Sequence, residues 1–189
     1  IKHVTTYARA DSIARKSVSE LRELKAAGIE HLYCGMETGS DLILRKINKG
    51  FDAATIIIGG TKAKEAGMVL SEFTLFGIGG KELAEENAVE TAKVLNVIKP
   101  DFIRVHATGI KLSSEMWNYV KNKELTLQSE EEIVSEQKIM LELLADDMDC
   151  IYMNEHIVNL LLEVRGNIRT DKQNMLETIN TYLQLPKQE

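Results

Sequence analysis

The amino-acid sequence predicts an α/β fold, namely an incomplete (βα) barrel of the TIM type with about four parallel strands and a helical C-terminal extension. The first observation is a pattern that occurs three times before residue 110: an amphipathic helix, a stop at Ala-Gly or Lys-Pro, and a β-rich run ending in small or polar residues. The second is that each β-rich run is followed by a segment long enough for a crossover helix, which favours parallel strands with right-handed connections. A closed barrel of this type needs about eight strands, so the predicted sheet is incomplete.

Local signals define the elements of this alternating part. The first helix begins at Asp11 or Ser12, either of which can cap its N-terminus, and ends at Gly28, which tolerates a left-handed turn. The other two helices end at 66–67 and 99–100. In chain order the predicted elements are strand 3–7, helix 11–27, strand 31–36, helix 52–65, strand 69–77, helix 83–98 and strand 102–106.

Beyond residue 106 the pattern becomes mostly helical. The predicted elements are helix 113–123, helix 130–144, a short strand 150–153, helix 157–164 and helix 172–183. His156 in this part is interpreted as a capping residue. Because no Ser/Gly-rich linker separates the two parts, we predict a partial barrel over residues 1–110 and a helical extension over 111–189 that packs on it.

The composition is that of a globular protein and argues against nucleic acid as a direct partner. The 189 residues carry a formal net charge of −6, so no basic field attracts phosphate groups. The sequence shows no apolar run long enough for a membrane span and no signal peptide at its start, and its two cysteines match no metal or redox motif. We expect no membrane partner and a cytoplasmic location. Because Ile1 opens the chain inside a β-rich run without a methionine, we expect a piece of a longer protein.

Small and polar residues follow each predicted strand of the barrel, in the segments 9–12, 37–40, 77–80 and 106–109. Ligands of parallel α/β folds bind at the C-terminal ends of the strands, where loop amides and helix N-termini come together. These segments therefore predict the mouth of a cofactor site.

Two charged residues at the first strand ends are candidates for binding. The Glu37 carboxylate can accept hydrogen bonds from a ligand, or it can interact with the dipole of the following helix. The Arg9 guanidinium matches the two oxygens of a cofactor or substrate carboxylate, or it can pair with Asp11 or Glu37.

The later strand ends add a glycine turn and two cationic side chains. Gly77, Gly79 and Gly80 allow the backbone to approach a flat ligand, although a tight turn would also need them. They form neither a dinucleotide fingerprint nor a phosphate loop. Arg104 and His106 are two residues apart on one strand and face the same side. If that side is the barrel interior, they would meet the substrate; otherwise His106 is a structural histidine.

Several of these segments resemble radical S-adenosylmethionine (radical SAM) enzymes. Residues 35–41 (Gly-Met-Glu-Thr-Gly-Ser-Asp) and 47–50 (Ile-Asn-Lys-Gly) resemble their fourth strand and helix, in particular those of a bacterial group often found with cobalamin-binding domains. Residues 75–82 resemble the fifth strand with its glycine turn, 7–11 are similar to the third strand end, and 154–161 resemble a run more often written with Ser-Asp-His. The resemblance covers essentially the whole chain and is most specific over 35–41.

This resemblance implies that the parent protein is a radical SAM Fe-S oxidoreductase. In that family a 4Fe-4S cluster reductively cleaves S-adenosylmethionine, and the resulting 5′-deoxyadenosyl radical takes hydrogen from a substrate, which is unknown here. For this chain it implies that residues 1–110 are the third to sixth barrel strands. It further implies that Lys49 meets the methionine carboxylate, that Glu37 binds the ribose or amino group, and that the glycine turn contacts the adenine face.

The family's three-cysteine cluster motif follows its first strand, so the cluster ligands are expected upstream of Ile1. Cys34 and Cys150 are far apart in the sequence and cannot supply the several thiolates that a cluster needs. We therefore expect the isolated segment to hold no cluster, to be inactive, and to supply part of the S-adenosylmethionine pocket.

Two other classes of function remain open. An ordinary acid–base lyase or isomerase would need a carboxyl or lysine of strongly shifted pKa inside the barrel, and Glu37 is the only fair candidate. A non-catalytic scaffold module would have lost the cluster. For partners the sequence predicts a small-molecule cofactor, an unidentified substrate and a homo-oligomer formed through open barrel edges, with strand 3–7 the favoured edge.

Overall fold

The computed structural model describes residues 4–185 as a six-stranded sheet with helices packed on it. The strands lie across the sheet in sequence order; the first five are parallel and the sixth is antiparallel to the fifth. They are β1 (Val4–Ala8), β2 (Ile29–Glu37), β3 (Val69–Phe76), β4 (Phe102–Ala107), β5 (Ile151–Met153) and β6 (Gly166–Asn167). The predicted α/β fold is confirmed, and His3 of the first predicted strand lies outside the described residues.

The helices connect successive strands and pack on one another. They are α1 (Ala10–Ala14), α2 (Val18–Ala26), α3 (Asp41–Lys46), α4 (Ala53–Glu65), α5 (Ala84–Ile98), α6 (Glu115–Lys121), α7 (Glu130–Leu143) and α8 (Ile168–Leu183). Helix α4 contacts α1 and α5, and α7 contacts α5 and α8, which makes a continuous helical layer. None of these helices in the described part is long and apolar enough to cross a membrane.

The two faces of the sheet differ in chemistry because successive side chains of a strand point to opposite faces. On the face under the helices lie fully buried apolar residues such as Leu32, Leu70 and Ile103. On the opposite face, the half-buried residues include Tyr33 and Phe73. In a barrel this second face is the interior, so the apolar core lies between the sheet and its helices.

The sheet continues further than the sequence predicts. The predicted strand 150–153 becomes β5, which pairs in parallel with β4, and β6 then pairs with β5. The C-terminal part therefore contributes strands to the same sheet as well as helices. The division at residue 110 stays a prediction.

Two helix predictions are wrong in detail. The predicted helix 11–27 is two helices, because Ser17 caps α2 with a capping box that it forms with Glu20. Residues 157–164 contain turns and no helix. The buried Asn154 side chain donates hydrogen bonds to the carbonyls of Leu160 and Leu161, both at 2.8 Å, and this holds a non-helical turn.

Glu72 is a fully buried carboxyl on the helix-covered face, next to Cys34 on the neighbouring strand. Its Oε2 atom has no hydrogen-bond partner within the described residues. Burial raises the pKa of the Glu72 carboxyl from 4.5 to about 8. The folded protein thus holds this proton more tightly than the unfolded chain does.

We expect the contribution of Glu72 to folding stability to fall as the pH rises from about 4.5 through 8, because its raised pKa favours folding only while the carboxyl is protonated. Glu72→Gln should have a free energy of unfolding close to wild type at pH 5 and be more stable by a few kcal/mol above pH 8, given about 1.4 kcal/mol per pKa unit. Urea unfolding from pH 5 to 9 measures this, with the exposed Glu177→Gln as control. Equal slopes for Glu72→Gln and wild type would contradict the assignment.

The predicted homo-oligomer has a structural candidate in β1, which lies at the edge of the described sheet and is paired there with β2. Unpaired backbone groups at such an edge favour pairing with another chain. We expect light scattering to give a mass above the 21.2 kDa of one chain. Val4→Lys should reduce this mass and Val97→Lys on α5 should not. A monomer at all concentrations would refute the prediction.

Candidate functional site

A cavity of about 390 Å³ lies on the open face of the sheet, near the C-terminal ends of β1, β2 and β4. Its volume is within the range of small-molecule sites. Its walls combine aromatic rings with three charged side chains; the lining residues include Tyr7, Tyr33, Phe73, Arg9, Glu37, Lys49, Gly35 and His106. The structure thus brings together the three charged residues that the sequence singles out.

Glu37 and Lys49 form an ion pair in this cavity. The Lys49 Nζ atom donates to Glu37 Oε1 at 2.8 Å, and the two side chains are 17% and 23% exposed, respectively. Arg9 reinforces the arrangement, because its Nη2 atom donates to the Lys49 carbonyl at 3.1 Å. Of the two protein partners that the sequence left open, Asp11 and Glu37, the Arg9 Nε atom pairs with Asp11 at 3.0 Å. The Arg9 guanidinium also lies 5.2 Å from the centroid of the Phe51 ring.

The backbone at Glu37 is in a conformation that is rare for its residue type, and Lys49 lies in a left-handed turn. Glu37 has φ of 64°, in the left-handed region, and follows an irregularity in the β2–β3 register. Lys49 lies between Asn48 at φ 55° and Gly50 at φ 86°. Left-handed non-glycine residues cost on the order of 1 kcal/mol and are concentrated at functional sites. Sequence reasoning did not find this feature.

The other residues of the 35–41 motif hold Glu37 in place. A Cβ on Gly35 would overlap the Glu37 carboxylate, and a Cβ on Gly39 would overlap the backbone of α5 at Glu90. Ser40 caps α3 and donates a hydrogen bond to Glu86 on α5 at 2.9 Å. The glycines are therefore required by close approach, and the turn is fixed against α5.

The structure does not bring the glycine turn into the cavity. The Gly77 N–H donates to Glu136 of α7 at 3.0 Å. A Cβ on Gly79 would crowd Ile43, and one on Gly80 would crowd Leu125. Protein atoms therefore occupy the space beside these two glycines, and contact of Gly77, Gly79 and Gly80 with an adenine face stays a prediction.

Arg104 and His106 lie on the open face of the sheet, which corresponds to the interior of a barrel. The Arg104 guanidinium is 4.9 Å from the centroid of the Tyr33 ring, and its Nη2 atom donates to the Tyr33 hydroxyl at 3.2 Å. The His106 ring packs against Phe73, with the ring centroids 5.5 Å apart. Sequence reasoning missed Tyr33 and Phe73, although alternation along β2 and β3 places them on this face.

The cysteines do not offer a cluster site. Cys34 and Cys150 are both buried and unbridged. Burial raises the pKa of the Cys150 thiol to about 12 and raises that of Cys34 as well, which disfavours the thiolate that iron would need. Within residues 4–185, no group of three or more His, Cys, Asp or Glu side chains could hold a metal ion.

No family model and no curated protein matches this chain. Solved structures do match. The archaeal Methanocaldococcus infernus Elp3 with an N-terminal deletion has a TM-score of 0.67 and 14% identity, over 96% of this chain and 41% of that one. The coproporphyrinogen III oxidase HemN from Escherichia coli, a radical SAM enzyme, has a TM-score of 0.55 and 17% identity, over 74% of this chain and 32% of that one.

A third match is methylornithine synthase, PylB, with a TM-score of 0.52 and 14% identity, over 94% of this chain and 45% of that one. The chain has the fold of part of the radical SAM barrel. It spans less than half the length of each of these structures. At these identities the likeness establishes the fold, which agrees with the resemblance seen in residues 35–41 of the sequence.

The glycines of the 35–41 motif give a direct test of how this turn packs. Gly39→Ala should lower the free energy of unfolding by roughly 1–3 kcal/mol, because the new methyl group meets the rigid backbone of α5. Gly35→Ala should lower the free energy of unfolding by less, since the flexible end of the Glu37 side chain can move away. Gly109→Ala, with no atom within 4 Å of the new carbon, is the control. Urea unfolding measures all three, and equal losses for Gly35→Ala and Gly39→Ala would contradict the packing.

Proposed function

We propose that this chain is part of a radical SAM enzyme and that its 390 Å³ cavity is part of the S-adenosylmethionine pocket. The observation that carries the proposal is the Glu37–Lys49 pair, held at a left-handed strand end beside aromatic walls. Left-handed residues of this kind persist where the surrounding structure fixes them. The shared fold with a radical SAM enzyme supports the same assignment.

The charged groups of the cavity match the polar groups of S-adenosylmethionine. Lys49 uses one of its three N–H donors for Glu37 and has others for the methionine carboxylate. Arg9, at the same end of the cavity, adds a guanidinium whose fork suits a carboxylate. The second oxygen of Glu37 can accept from ribose hydroxyls or the amino group. Tyr33 and Phe73 add aromatic surface for the rest of the nucleoside.

The 4Fe-4S cluster would be ligated outside this chain, since the two buried cysteines do not fit it. In the parent protein the cluster and S-adenosylmethionine together would supply the radical that takes hydrogen from the substrate. The part played by this segment is to bind and orient the cofactor and to cover it from water. We place the parent protein in the cytoplasm, where free cysteines such as these stay reduced.

The acid–base alternative has weaker support. It needs a carboxyl or lysine of strongly shifted pKa in the barrel interior. The carboxyls in the described residues whose pKa burial raises strongly are Glu72, to about 8, and Glu136, to about 7, and neither lines the cavity. A non-catalytic scaffold that binds no cofactor would give no functional reason for the left-handed backbone at Glu37.

Calorimetric titration of the 189-residue chain with S-adenosylmethionine tests the proposal. We expect saturable binding that Glu37→Gln and Lys49→Met each weaken by roughly 1–3 kcal/mol, the scale of hydrogen bonds to charged groups. Lys46→Met, a change to an exposed lysine of α3, should leave the affinity unchanged. Absence of binding, or equal affinities in all variants, would falsify the assignment of this cavity.

A further inference from the structure

A second, smaller cavity adjoins the first on the open face of the sheet. It has a volume of about 160 Å³, several times the roughly 30 Å³ that one water molecule takes, and its lining includes Arg104, His106 and His156. His106 lines both cavities. A group bound in the smaller cavity would therefore lie next to the proposed cofactor.

Arg104 has no anionic partner in the described part of the chain. It is held by Tyr33, Phe73 and Phe102, whose ring centroids lie 4.9, 5.9 and 5.9 Å from its guanidinium carbon. Its Nε atom is buried without a hydrogen-bond partner among the described residues. A partly buried cation without a counterion is costly, so this site favours a negatively charged ligand.

The two histidines lie beside this cation with their rings 4.2 Å apart between centroids. The His156 Nδ1 atom accepts the N–H of Val158 at 3.4 Å, which favours Nε2 as the N–H donor of this ring. Burial, His156 and Arg104 lower the pKa of His106, and Glu37 raises it. An anion bound here would meet the Arg104 cation and the N–H groups of the two rings.

The segment that carries His156 is fixed to β4. Asn159 donates to the Val105 carbonyl at 2.7 Å and accepts the Ala107 N–H at 2.8 Å, and these two bonds flank His106. The carboxylate that lines this cavity, Glu155, is paired with Arg165 at 2.8 Å. The imidazoles are therefore held together by the fold, and the acidic side chain of the same cavity has a cation of its own.

We propose that Arg104, His106 and His156 form a binding site for an oxyanion, a carboxylate or a phosphate group of the substrate. The guanidinium would donate through its free N–H groups and the imidazoles through one N–H each. The site itself stands on these contacts; only its role in holding a substrate beside the cofactor rests on the proposed function above.

The test is an NMR titration of the 189-residue chain with inorganic phosphate in one arm and acetate in the other, at constant ionic strength with sodium chloride. We expect saturable shifts of the His106 and His156 ring signals in at least one arm, and the arm that binds more tightly identifies the class of anion. His31, which lies on the same face outside this cavity and is hydrogen-bonded to Ser71 at 2.9 Å, should shift less than the two rings of the site.

Substitutions distinguish anion binding at this site from binding at other cationic side chains. Arg104→Gln should lower the affinity for the anion by about tenfold or more. His156 is exposed, so His156→Asn should lower that affinity several-fold and leave the fold intact. Lys46→Met and Lys93→Met, changes to exposed lysines of α3 and α5, are controls that should keep the wild-type affinity. Shifts that are absent in both arms, that chloride reproduces, or that persist unchanged in Arg104→Gln would overturn the proposal.

The outcome is separable from that of the cofactor proposal. His156→Asn should leave the affinity for S-adenosylmethionine unchanged, because His156 is exposed and does not line the larger cavity. Phosphate or acetate binding in a chain that does not bind S-adenosylmethionine would leave the anion site standing and remove the proposed function.

Discussion

The close approach of the 37–41 turn to helix α5 determines the geometry of the site. Gly39 leaves no room for a side chain against the α5 backbone at Glu90, and its N–H donates to Thr91 at 2.9 Å. Ser40 adds a hydrogen bond to Glu86 of the same helix. With the turn held on one side, Glu37 is kept in the left-handed region, and its carboxylate faces Lys49.

The second constraint is that the sheet uses its two faces for different purposes. The helix-covered face carries the apolar core, so its residues are chosen for packing. The open face carries aromatic rings around a cation, Arg104, that no described carboxylate neutralises. A barrel interior that only packed would be filled by branched apolar residues. The chemistry of this face therefore points to ligands.

The C-terminal part supports the same region. Glu136 of α7 is buried and accepts hydrogen bonds from Asn87, Gln128 and the Gly77 N–H. Burial raises the pKa of its carboxyl to about 7. Asn159, in the turn after β5, fixes the end of β4. The glycine turn and the β4 end are thus both held by residues that follow them by many positions in the chain.

The sequence by itself determined the order and type of most elements and the charged members of the site. Helical spacing, glycine stops and the strand-end positions of Arg9 and Glu37 are local properties, so each could be recognised without the fold. The tertiary structure decided what those residues contact. It placed β5 beside β4, paired Glu37 with Lys49, turned the glycines of 77–80 toward protein atoms, and brought His156 onto His106. Such contacts depend on strand register and loop paths, which are set by long-range packing and have no periodicity in the sequence.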